Sequence, residues 1–170
     1  MFKFFFSIFF KNNKLIQKIN LQIVNQSRKK DLYTFFNIVD NFQNRLNFQI
    51  LHLSLILIHL DSCENKYYFE KNIVKAFLNN FDLDFREKGV GDKLIEKKIF
   101  EISNLVNHQF FQYKKSLTNK KLLRKCLKKF FVFHKKGNKI NILESYIHKQ
   151  NVYIQTLNFN KPTDTKIFID

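Results

Sequence analysis

A chain of 170 residues, 45% of them apolar, has the length and hydrophobicity for one domain with a real core, which excludes a disordered polyelectrolyte. Thirty Lys and Arg against 14 Asp and Glu give a formal charge of +16. That charge attracts RNA, ribosome surfaces or acidic lipid, but no Arg-rich or aromatic-interleaved motif marks a sequence-specific reader of nucleic acid. The wealth of Lys, Asn, Ile and Phe, with 22 Phe, one Met and no Trp, follows an A/T-rich coding bias and discounts the charge as a functional signal.

Residues 1–14 form an apolar and basic N-terminal segment, Phe-rich up to Phe10 and followed by Lys11 and Lys14. The apolar run is too short to span a bilayer and lacks the small residues of a signal-peptide cut. An interfacial helix and a helix packed on the core are both open for it. Leu15, Ile16, Ile19, Ile23 and Val24 recur at helical spacing up to Ser27. Asp31 is suited to cap a short helix carrying Leu32, Phe35 and Phe36. After a polar break from Asp40 to Asn44 comes the most hydrophobic stretch, Leu46 to Leu60. Gln49, His52, Ser54 and His59 interrupt it, so it reads as a buried helix of a bundle rather than a membrane span. His52 there is expected to be a satisfied core polar residue.

Phe69, Ile73, Phe77, Phe81 and Phe85 predict a long helix, and Ile95, Ile99, Ile102, Val106 and Phe110 predict another. Between them lie Gly89 and Gly91, two of only three glycines in the chain. Gly89 suits a helix stop, and Asp92 is placed to accept from free amides of the next helix. Thr118 is suited to cap a helix from Lys120 to Phe131, whose stripe of Leu and Phe leaves Lys121, Arg124, Lys125, Lys128 and Lys129 elsewhere on its surface. No acid occurs from Lys114 to Lys139, so this helix is a candidate contact for an anionic membrane or a ribosome. Gly137-Asn138 marks a turn, Ile140 to Leu157 a last helix, and residues 158–170, with Pro162, a polar tail. The expected fold is all-α: a single-domain bundle of six to seven helices over residues 15–157.

Catalytic readings of the glycine corner fail. A dinucleotide fingerprint needs a third glycine where Leu94 stands, and a phosphate loop needs Gly-Lys-Ser/Thr. The acids Asp82, Asp84 and Glu87 precede the turn instead of alternating around a central glycine as in an EF-hand. Carboxylates two residues apart on a helix do not face each other, so no acid–base pair is expected. Cys63 and Cys126 match no metal or redox spacing. His52 and His59 are separated by about 10.5 Å of helical rise, too far to share one zinc. No metal, cofactor or enzymatic activity is expected.

In order and spacing, the residues resemble the ubiquinol–cytochrome c chaperone family. Ile23-Val24-x-Gln26-x-Arg28 followed by Leu32-Tyr33 is similar to that family's opening motif. Asp40 and Arg45, then Leu51-His52 with Leu55, Leu57 and Leu60, match its first long helix. Asp84-x-Arg86-Glu87-x-Gly89-Val90-Gly91-Asp92 resembles its most distinctive segment, and Lys97, Lys98 and Tyr113 continue the register. Motifs cover residues 19–117; beyond these only the helical pattern agrees. Asn44 and Leu46 replace the family's Gly and Phe around Arg45, and Val106-Asn107-His108-Gln109 stands where the family often has Phe-Tyr-Gly-Arg.

The resemblance implies a non-enzymatic assembly factor that binds newly made apocytochrome b and assists assembly of the ubiquinol–cytochrome c reductase (bc1) complex. A small companion subunit, a ribosome or an anionic membrane surface would be further partners. Arg45, His52, Asp84, Arg86, Glu87, Gly89, Val90, Gly91 and Asp92 are then the family-motif residues expected to shape a protein-binding surface. The short approach to the first motif suggests the bacterial cytoplasm or the cytoplasmic face of the inner membrane, or a mitochondrion if the source is eukaryotic. A basic ribosome- or RNA-associated helical protein is the alternative.

Overall fold

Seven helices account for the order in the computed structural model, which describes residues 2–60, 65–134, 139–157, 159 and 166–169, with side chains in the first helix from Lys14 onward. They are α1 Phe2–Ser27, α2 Lys30–Phe36, α3 Phe42–His59, α4 Lys66–Glu87, α5 Asp92–Ser116, α6 Lys120–Phe130 and α7 Ile140–Gln155. The all-α bundle expected from periodicity is the fold observed. Among the described residues, strand pairing is limited to one antiparallel bridge between Ile38 and Phe133.

The apolar N-terminal run and the Leu15–Ser27 pattern belong to one continuous helix, α1. The side chains that would decide between lipid and core for residues 1–13 lie outside the described residues, as do Cys63, the turn at Gly137-Asn138 and Pro162. α3 is the central element, packed against α1, α5 and α7. From Leu46 to Leu57 every residue of it is buried, polar ones included. α4 packs on α1 and α5, α5 on α6, and α6 on α7.

The capping expectations for Asp31 and Thr118 are corrected. Asp31 lies within the first turn of α2, with Lys29 in the cap position and no side-chain cap. α6 is capped by Asn119 rather than Thr118: the Asn119 side chain accepts from the Leu122 amide at 3.1 Å. Asn outranks Thr at this position, and the chain breaks from helix one residue later than the Thr reading supposes. Asn41 does the same for α3, accepting from Asn44 at 2.8 Å.

A helix buried all round must satisfy its polar groups internally. Asn44 donates to the carbonyls of Val39 (2.7 Å) and Val132 (3.0 Å) and accepts from the Val132 amide at 3.0 Å. The Val39 amide donates to the Val132 carbonyl at 3.0 Å, so one side chain brackets the α2–α3 linker against the segment after α6. Asn47 donates to the Phe130 carbonyl and accepts from Gln109 at 2.8 Å and from Gln43 at 3.2 Å. Phe159, Ile167 and Phe168 of the compositionally polar tail are buried.

Candidate functional site: the α4–α5 corner and its groove

The corner is built by hydrogen bonding of the last turn of α4. The Gly89 amide donates to the Arg86 carbonyl at 2.9 Å and the Val90 amide to the Phe85 carbonyl at 3.0 Å. This pair of reversed bonds closes the free carbonyls of α4 and requires a left-handed residue, met by Gly89 at φ +72°. Val90 then packs against the core. Gly91 has an ordinary extended conformation, φ −69° and ψ 148°, and a Cβ there would meet nothing within 4 Å.

Asp92 is the first residue of α5 and does not cap it; Gly91 holds the cap position. The Asp92 carboxylate is drawn instead to Arg86, whose guanidinium donates to it at 2.7 Å and to both oxygens of Asp82 at 2.7 and 3.3 Å. The clamp spans the turn and fastens the end of α4 to the start of α5. Hydrogen bonds from Asp82 and Asp92 hold the Arg86 proton more firmly than usual, pushing its pKa up. Arg86 and Asp92 are largely in water and Asp82 is half-buried, so the clamp orients the helices more than it stabilises them.

Beside the corner, α1 and α4 enclose a groove of about 380 Å³. Val24 and Arg28 from α1 and Asp84 and Glu87 from α4 line it, so two motifs distant in sequence meet on one surface. Leu21 and Leu83 there are more than half exposed, and each stands next to charged or amide side chains. Asn20, at the base, joins the helices by donating to the Ile73 carbonyl at 3.4 Å. Its Oδ1 is buried and has no partner among the described residues.

Arg45 and His52 belong elsewhere. Arg45 pairs with Asp40 at 2.6 and 3.0 Å at the entrance to α3, and that hydrogen bond lowers the Asp40 pKa and raises that of Arg45. His52 is fully buried, with Nδ1 2.8 Å from the Ser27 hydroxyl and Nε2 2.8 Å from the Tyr146 hydroxyl. Burial, aided by the nearby Lys29 charge, pushes its pKa down to about 3, so the imidazole is neutral and locked between α1 and α7. It is the satisfied core residue expected of it.

The basic helix divides in two. Arg124 is committed to an ion pair with the buried Glu144 of α7, and Lys129 lies 3.2 Å from His108 and over the Phe130 ring. Lys121, Lys125 and Lys128 are exposed. Among the described residues, no three His, Cys, Asp or Glu converge as a metal site would require. No described helix is long and apolar enough to cross a membrane.

Periodicity did not single out Asn44, Asn47 and Gln109 for any role. Two of them, Asn44 and Gln109, occupy positions where the chain departs from the family pattern, and that departure was the available signal.

A solved structure described as the crystal structure of the Cbp3 homolog from Brucella abortus is similar to this fold, with a TM-score of 0.77 at 19% identity over 94% of this chain and 91% of that one. None of the curated proteins compared is a significant match to the sequence. The family model described as ubiquinol-cytochrome C chaperone matches residues 34–158, which include the corner, α3 and the basic helix. The chain therefore belongs to the ubiquinol–cytochrome c chaperone family.

Proposed function

We propose that this chaperone-family protein binds newly made apocytochrome b and holds it during assembly of the bc1 complex, acting by binding rather than by catalysis. The family match over residues 34–158 carries the reading. The corner at Gly91 and the adjoining groove, with Arg28, Asp84 and Glu87 at its edge, form the surface offered to the client or to a small companion subunit. The protein works at the cytoplasmic face of a bacterial inner membrane or in the bacterial cytoplasm, or in a mitochondrion if its source is eukaryotic.

Affinity capture from the native cell in mild detergent tests this. Recovery of apocytochrome b is expected. Recovery of ribosomes alone would overturn the client assignment and favour a second reading, a ribosome- or RNA-associated protein. The exposed Lys121, Lys125 and Lys128 favour that second reading, which predicts RNA affinity falling steeply with salt.

A further inference from the structure

Residues 166–169 are held in a way unlike the rest of the fold. Among the described residues they make no backbone-to-backbone hydrogen bond. Side chains of the helices read their main chain instead. Gln22 of α1 accepts from the Ile167 amide at 2.6 Å, and Tyr153 of α7 donates to the Lys166 carbonyl at 2.6 Å. Gln150 of α7 takes both polar groups of Ile169, accepting from its amide at 3.1 Å and donating to its carbonyl at 2.6 Å. Gln26 of α1 adds a 3.4 Å bond to the same carbonyl. The side chains of Ile167 and Phe168 are 5% and 1% exposed, and the Phe168 ring lies 4.7 Å from the His52 ring on the floor.

Main-chain capture by fixed polar groups, with wells for apolar side chains, is how proteins bind extended peptides of varied sequence. The seat also has room to spare. A cavity of about 330 Å³ adjoins Lys166 and Phe168, and it shares Gln26 and Lys29 with a larger one of about 640 Å³. Leu32, Phe35, Phe36 and Ile142 give that second cavity an apolar lining.

We propose that the trough between α1 and α7, floored by His52, is a peptide-binding site that residues 166–169 fill in cis and an extended apolar segment of a client fills in trans. The inference rests on the client-holding function proposed above and adds to the corner surface a second seat, for an extended segment of the client. Gln26 keeps a 3.0 Å bond to the Tyr146 hydroxyl, but the buried Gln150 amide would lose both of its Ile169 partners in an emptied trough, so one occupant replaces another instead of leaving Gln150 bare. The cis segment thereby lowers the apparent affinity for any competitor.

The test uses the full chain and a labelled, end-blocked Lys-Ile-Phe-Ile peptide in fluorescence anisotropy. Phe168→Asp expels the cis segment and is expected to tighten peptide binding about tenfold or more over wild type. Adding Gln150→Ala should reverse the gain, and a peptide with Asp in place of Phe should not bind. Equal binding to wild type and Phe168→Asp overturns the proposal. Should Phe168→Asp not fold, hydrogen exchange of the wild-type chain decides. Amides of Ile167 and Ile169 exchanging about a hundredfold faster than those of α3 support a detachable segment, and equal rates overturn it. Capture of apocytochrome b without peptide binding would move the client to another surface and leave its identity standing. Peptide binding without that capture would keep the trough and refute the client.

Discussion

Gly89 and Gly91 stand two positions apart and answer to different physics. A side chain at Gly89 would have to hold the left-handed conformation, whereas one at Gly91 would project into open space. Gly89→Ala is expected to cost about 1 kcal/mol in urea denaturation. Gly91→Leu should leave Tm unchanged, yet reduce capture of apocytochrome b if the corner is a contact surface; unchanged capture would leave the corner an architectural role alone. His52 makes a second residue-scale prediction. Its imidazole titrates near pH 6.5 in the unfolded chain and at about pH 3 in the fold. Between those values the unfolded state binds the extra proton. Stability from this group is therefore complete above pH 6.5 and falls by about 1.4 kcal/mol per unit below it. Urea titrations at pH 7.5 and 5.5 should show the drop, and His52→Gln should flatten it.

Between elements, the decisive contacts are made by side-chain amides. Asn44 ties the α2–α3 linker to the segment after α6, and its removal leaves the Val132 amide without an acceptor. Asn44→Ala is expected to cost about 2 kcal/mol. Asn44→Asp should cost more at neutral pH, because a carboxylate would face the carbonyls of Val39 and Val132. Chemical denaturation of the two variants checks the order. The helices themselves were legible: Phe69 to Phe85 and Ile95 to Phe110 announce their faces by spacing alone, and Gly89 announces the stop. The amide contacts were not. Asn44 and Gln109 look like solvated polar residues until the fold brings Val132 and Asn47 to them. Asp92 was misplaced for a related reason: its partner is a guanidinium six residues back, which no capping rule considers.

For the molecule as a whole, charge is arranged on a rigid frame. α6 is pinned to α7 by Arg124 and Glu144, leaving Lys121, Lys125 and Lys128 as an outward row. Changing those three to Glu should lower retention on anionic vesicles and ribosomes without loss of helicity, with the difference vanishing at high salt. Circular dichroism and co-sedimentation at two salt concentrations measure both parts. Of the candidate surface, the corner could be read from Arg86 to Asp92, but its union with Val24 and Arg28 could not, because only the packing of α1 on α4 creates it. The seat of residues 166–169 left still less trace, since Ile167 and Phe168 in a polar stretch have no periodicity to report.

The bond between Gln22 and Ile167 also keeps time. Its partners are 145 positions apart. At a synthesis rate of about 5–20 residues per second, Gln22 exists for roughly 7–30 seconds before Ile167 is made. The helices of α1 and α3 can pair within that interval, but the trough over His52 gains its own occupant only when the polypeptide has been extended that far. Each molecule thus passes through an early age in which the site is formed in part and unclaimed.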